Sequence, residues 1–187
     1  MVGPLTGSGI ELAVRPVAIT TWKHRLAHHP DTKVRSLDTG FDRDYTPGRP
    51  YASYFSSADL MFPVLVEDTR LKPKDYVFAL RSGVHEKAWP LSEFAGGQVI
   101  NDRIGTLDIV LIGDAASRTV RAYDARGRDF TATFGDADTV QSECHSWMIE
   151  EESLTSVDGQ TLPRLPDHIA YWFAWSGYKS DALLFER

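Results

Sequence analysis

From Tyr76 onward the chain is built of short apolar or alternating stretches punctuated by turn residues, a pattern that predicts strands. Tyr76-Val77-Phe78-Ala79-Leu80 is followed by Ser82-Gly83 and then Glu86-Lys87-Ala88-Trp89, which reads as a hairpin. Pro90 to Gly97 predicts a short helix and turn, Val99-Ile100 a short strand, and Leu107 to Ile112 a strand apolar enough to be central. Thr119 to Tyr123 and Phe130 to Phe134 both alternate, joined by a turn at Arg126-Gly127, and Trp147-Met148-Ile149 is a further strand.

Two helices stand against this background. Thr20 or Thr21 can cap the first, over residues 20–29, with Trp22 and Leu26 one turn apart on its buried face and His29-Pro30 ending it; Lys33-Val34-Arg35 then reads as extended. Asp167 can cap the second, Ile169 to Trp175, with Gly177 as its stop; being apolar almost all round, it is expected to be covered on both faces. Between the first helix and the strands, residues 37–61 read as an irregular linker punctuated by Gly40, Pro47, Gly48 and Pro50. Its aromatics Phe41, Tyr45, Tyr51, Tyr54 and Phe55 suggest an ordered loop that packs down. The expected fold is α+β and mainly β, a twisted antiparallel sheet or small barrel with two peripheral helices.

The chain also resembles itself. A shift of 150 positions, without a gap, brings Gly9 onto Gly159, Leu12 onto Leu162, Pro16 onto Pro166, Ile19 onto Ile169, Trp22 onto Trp172 and Asp31 onto Asp181, with Val34 on Leu184. A period of that length is a domain and not a solenoid unit. The expectation is that residues 1–36 are the closing tail of one copy and residues 62–187 a second copy.

Composition narrows the chemistry. The chain has 187 residues, 42% of them hydrophobic and 25% charged, with a formal net charge of −6. No basic block is present to neutralise phosphates, so nucleic acid is not an expected partner. A single cysteine, Cys144, excludes a disulfide framework within the chain. No apolar run approaches the roughly 20 residues of a membrane span. The start, Met1-Val2-Gly3-Pro4-Leu5-Thr6-Gly7, has neither the basic nor the apolar part of a secretory signal.

The candidate sites are few. His24 and His28, at i and i+4, could share Zn²⁺ or Cu²⁺ with Asp31, although a solvated polar face explains them more simply and no HExxH arrangement is present. Asn101-Asp102 reads as an Asx turn or a site carboxylate at a strand end. Neighbours in a strand face opposite ways, so Cys144 and His145 would not form a nucleophile–base pair. His85 lies at a hairpin turn, Glu150-Glu151-Glu152 reads as a solvated turn, and the Tyr171 to Trp175 aromatics read as core. No phosphate loop or serine elbow appears.

An ordered set of short motifs carries a resemblance. Gly3-Pro4-Leu5-Thr6-Gly7, Thr20-Thr21-Trp22, His29 to Val34 and Asp38-Thr39-Gly40 are followed by Pro50 to Tyr54 and Phe62-Pro63-Val64. Ala88-Trp89-Pro90-Leu91, Val99-Ile100-Asn101-Asp102 and Trp172-Phe173-Ala174-Trp175 complete the set. The chain resembles the bacterial DUF3179 family, whose function is unknown. Chemically equipped relatives carry a Tyr-Cys-Pro-x-Cys motif shortly before an aromatic–Asp pair, and counting back from Tyr123-Asp124 places it on Gly113-Asp114-Ala115-Ala116-Ser117. A histidine often found before the Asn-Asp pair falls on Gly97.

Asp114 and Ser117 therefore stand where the resemblance implies two sulfur ligands, and neither offers thiolate chemistry. The expected function is a non-catalytic domain that supports a cysteine-bearing copy, with no cofactor. The alternatives are a metal- or small-ligand-binding protein, and an enzyme working through Asp102 and Asp114. Asn101, Asp102, Asp114, Ser117 and Trp89 are the candidate ligand-binding residues. The resemblance implies a periplasmic placement and packing against another copy, within one polypeptide or between chains.

Overall fold

The structure, a computed structural model, describes residues 3–4, 6–10, 15–46, 48–64, 68–178 and 181–186, and of His24 only the backbone. Met1, Val2, Leu5, Leu12 and Pro47 of the sequence patterns above lie outside these residues.

The first 64 residues hold two short helices, α1 (Trp22–His28) and α2 (Ala52–Ser56), and no strand among the described residues. The remainder is a stack of three sheets. Strands β1 (Tyr76–Ser82) and β2 (His85–Pro90) form the expected hairpin, turned at Gly83, whose φ of 59° is a left-handed conformation that glycine adopts without penalty. After a 3₁₀ turn at Leu91–Phe94 come β3 (Gln98–Ile104), β4 (Leu107–Asp114) and β5 (Thr119–Asp124), a three-stranded antiparallel meander. Five strands make a third sheet: β6 (Thr131–Thr133), β7 (Asp136–Ser142), β8 (His145–Ile149), β9 (Ser153–Ser156) and β10 (Thr161–Pro163). The chain then returns to the hairpin. Strand β11 (Asp167–Tyr171) pairs antiparallel with β1, helix α3 (Trp172–Tyr178) follows, and β12 (Leu183–Leu184) pairs parallel with β2.

Side-chain alternation sets the layers. In β4, Ile109 and Leu111 point into a core shared with Phe78, Leu80, Trp89 and Phe94 of the hairpin layer. Val110 points the other way, into a core with Tyr123, Phe130, Trp147, Leu154 and Leu162. In β1, Phe78 and Leu80 face the meander, while Val77 and Ala79 face outward onto Trp172, Trp175 and Ala182. Covering on both sides is why β1 and β4 read as unbroken apolar runs and not as alternations.

The mainly β reading holds; among the described residues three open sheets stand in place of the expected single sheet or barrel, β12 is parallel to its neighbour, and α2 is a third helix beyond the two expected. Several local expectations fail for identifiable reasons. Ile169 to Tyr171 are strand, because pairing with β1 satisfies their backbone. Asp167 therefore does not cap α3. The first amides of α3 are satisfied by loop carbonyls, Trp172 N donating to Asp75 O and Phe173 N to Pro73 O. Only one face of α3 is buried, since Ala174, Gly177 and Tyr178 are exposed. Trp22 is 48% exposed and Leu26 half-buried, so the expected buried face of α1 is only partly covered. The linker aromatics do not pack down either. Phe41, Tyr45, Tyr51 and Phe55 are exposed, and only Tyr54 is half-buried, with the Lys74 ammonium 3.6 Å from its ring centre. Strands β5 and β6 are not a hairpin: the turn at Arg126-Gly127 exists, but the chain there crosses from the middle sheet to the outer one.

Two tryptophans at matched positions give contrasting expectations. Trp172→Ala, which empties a fully buried site, should lower stability by about 3–5 kcal/mol. Trp22→Ala should change it by less than about 0.5 kcal/mol. Urea unfolding of both variants, followed by circular dichroism, checks the pair.

Candidate functional site

Three positions singled out by the family resemblance meet at one corner of the middle sheet. Asp114 is the last residue of β4, and the chain reverses at once through residues 115–118 into β5. Ser117 N donates to Asp114 Oδ2 at 2.9 Å, and Ser117 Oγ donates to Asp114 O at 3.3 Å. The Ser117 amide chiefly holds the Asp114 carboxyl below the usual carboxylate range; burial works against it, and the Ser117 side chain and the amides of Ala116 and Gly97 assist. Gly97, at a φ of 78°, immediately precedes β3, and the pairing of Gln98 with Gly113 places it beside Asp114. Gly113, which precedes Asp114 in the chain, is packed tightly: a Cβ there would lie 2.6 Å from the backbone oxygen of Thr119.

Beside this corner lies a cluster of rings. The Arg118 guanidinium sits 4.4 Å from the Tyr76 ring centre and donates to its hydroxyl at 3.1 Å. Tyr76 and Tyr171 stack at 4.5 Å with their hydroxyls 2.9 Å apart, and burial first, then the Tyr76 hydroxyl, pushes Tyr171 up to about 12. Thr119 Oγ1 donates to Ile19 O at 2.9 Å, which brings the N-terminal segment against the start of β5.

Asp102 is elsewhere. It lies inside β3, opposite Ile109, so Asn101-Asp102 is neither a turn nor a strand end. Asp114 is five residues beyond Ile109 on β4, which at the rise of an extended strand is roughly 17 Å away. Alternation also turns the two carboxylates to opposite faces of the sheet. Asp102 faces the hairpin layer, where Lys87 Nζ approaches to 2.7 Å and Trp89 Nε1 donates to Oδ2 at 2.7 Å. The ammonium lies 5.6 and 5.5 Å from the ring centres of Trp89 and Phe185. Asp102 thus bolts the first two layers together. Asn101 does the same on the opposite face, its side chain donating to Phe130 O and accepting from Phe130 N, both at 2.8 Å, where the chain enters the outer sheet.

A network missed by sequence reasoning lies where β5 meets the return to the hairpin layer. The buried Arg164 guanidinium pairs with Asp167 at 3.1 Å and with Glu151, which also binds Arg121 at 2.9 Å. Glu151 is therefore no idle member of a solvated acidic trio. Burial raises its pKa, the two arginines outweigh burial, and the net direction is downward. Burial pushes Asp167 up. No motif announces this network, because its members are scattered over residues 121–167 and meet only through the folding of the sheets.

The other candidates stay apart. His28 and Asp31 line an open depression of about 450 Å³ with Arg25, His29, Pro30 and Thr32, while the His24 side chain lies outside the described residues. Among the described residues no three His, Cys, Asp or Glu side chains are grouped closely enough to hold a metal ion. Cys144 is exposed in the turn between β7 and β8, and His85 is exposed over Gly105. No helix among the described residues is long and apolar enough to cross a membrane.

Comparison with known families agrees with the motifs. The family model for DUF3179, described as a protein of unknown function, matches residues 1–182. The chain belongs to that family. No curated protein and no solved structure matches it.

Asp102→Ala leaves a half-buried ammonium and an indole N–H without their acceptor and should lower stability by about 2–3 kcal/mol. Adding Lys87→Met should recover part of that loss, which a double-mutant cycle in urea measures. For Glu151, the folded pKa lies below the unfolded one. Its contribution is therefore full above the unfolded pKa and disappears as pH falls through the folded one. Glu151→Gln should flatten the acid limb of a melting temperature against pH curve.

Proposed function

We propose that this DUF3179 chain is a non-catalytic unit that supports a cysteine-bearing copy of the fold. One observation carries the reading. The corner formed by Gly97, Asp114 and Ser117, where the family resemblance implies a histidine and two cysteines, is closed on itself by the Ser117 amide donating to the Asp114 carboxylate. A carboxylate and a hydroxyl are hard oxygen groups that suit neither a soft metal nor thiol exchange. The enzyme reading through Asp102 and Asp114 loses its support from the strand register, since cooperating carboxylates stand within about 5–10 Å. A placement outside the cytoplasm is part of the proposal and rests on the family resemblance alone.

A second reading has one observation in its favour. His28 and Asp31 share a depression at the end of α1, so zinc or copper held by His24, His28 and Asp31 is the alternative. Replacing both histidines with alanine would then abolish metal uptake.

The test of the main reading is a cobalt titration followed by absorbance, with elemental analysis of the purified chain. The unmodified chain should hold no stoichiometric transition metal. The Asp114→Cys, Ser117→Cys variant should gain a thiolate-to-cobalt absorption band that the unmodified chain lacks. One tightly held metal per unmodified chain would overturn the proposal.

A further inference from the structure

The backbone repeats where the sequence repeats. Helix α1 runs from Trp22 to His28 and α3 from Trp172 to Tyr178, so both ends of the two helices are related by the same shift that aligns Ile19 with Ile169 and Asp31 with Asp181. Gly9 and Gly159 share the left-handed conformation, with φ of 72° and 83°. Asp31 and Asp181 both lie in turns.

The surroundings differ. Around α3, residues 167–171 pair with β1, Trp172 is fully buried against Val77, Ala79 and Ala88, and Leu184 pairs with β2. Around α1, the matching residues 17–21 and 33–34 belong to no strand, Ile19 O accepting instead from the Thr119 hydroxyl of β5, and Val17, Ile19, Trp22 and Val34 are 60%, 45%, 48% and 69% exposed. A seven-residue helix has little stability without tertiary packing. The segment has the layout of the closing element, but among the described residues no hairpin lies against it.

We propose that residues 17–37 are the closing strand, helix and strand of a second DUF3179 unit, docking onto that unit's counterpart of the β1–β2 hairpin. This rests on the support role proposed above and deepens it by giving it a surface. Ile19 would sit opposite the counterpart of Phe78, because Ile169 does so here. Trp22 would fill the counterpart of the pocket formed by Val77, Ala79 and Ala88. The receiving hairpin is not the one in this chain, whose two edges are already taken by β11 and β12. Those strands belong to the same unit and hold their places at high effective concentration. The buried Trp175 corresponds to Arg25, so the second unit must present a polar or acidic group where this one packs an indole.

The test adds a receiving body ahead of the chain. Residues 38–158 are placed directly before residue 9 of the chain, so that 9–37 follow the added body in the same register in which 159–187 follow the native one. Hydrogen exchange is read for the amides of 18–34. A companion protein, with 159–187 following the added body, sets the protection available to a closing tail. A second variant carries Arg25→Trp, to match the hairpin used as receiver.

In the single chain these amides should exchange at nearly unprotected rates. In the extended chain, or in its Arg25→Trp form, they should slow at least 100-fold, within tenfold of the companion. Exchange at the single-chain rate in both extended forms would overturn the proposal. So would protection of 18–34 that appears when the single chain is merely concentrated, since that would assign the segment to self-association. The readout does not involve metal, so a failure here is distinct from a failure of the reading at Asp114.

Discussion

The fold depends on a middle sheet that is covered on both faces. Once β4 must bury Ile109 and Leu111 on one side and Val110 on the other, two further layers are required, and the chain before and after it is committed to supplying both. Cover on both faces also makes a polar side chain at either interface costly unless it finds a partner. Asn101 and Asp102 are adjacent in β3 and serve opposite interfaces, one holding the entry to the outer sheet and the other holding the hairpin layer. Their adjacency thus has a structural explanation that needs no substrate.

Legibility follows the degree of burial. The hairpin of β1 and β2, the central β4 and the alternating β5 are readable because their apolar residues are fully enclosed. Of the outer sheet only β6 and β8 can be read. Strand β7, Asp-Ala-Asp-Thr-Val-Gln-Ser, carries no aromatic and is largely exposed over its first half, so its period is hidden among polar residues. The strand β11 reads as helix because Ile169-Ala170-Tyr171 runs without a break into the helical aromatics, and only pairing with β1 separates the two. The exposure of the linker aromatics is beyond the reach of composition, since ring content alone does not reveal whether anything lies opposite.

The candidate site divides in the same way. That Asp114, Ser117 and Gly97 belong together is implied by the family resemblance, and β3–β4 pairing brings them to one corner. Pairing Asp102 with Asp114 supposes two carboxylates close together on neighbouring strands; the strands are neighbours, but their register sets the two residues apart. The network of Arg121, Glu151, Arg164 and Asp167 is invisible in the sequence because each residue is ordinary where it stands. A buried ion pair of this kind is weak support for net stability, because desolvation offsets much of the attraction.

The return of the chain to its first hairpin has a temporal side. The hairpin and the meander are local in sequence, so they can assemble as soon as they leave the ribosome. The outward face of Val77, Ala79 and Ala88 cannot, because Trp172 is made more than 80 residues after Ala88. At roughly 5–20 residues per second, that greasy strip stays bare for on the order of 4–20 s during every round of translation. For that interval the strip is apolar surface that the closing helix has yet to cover.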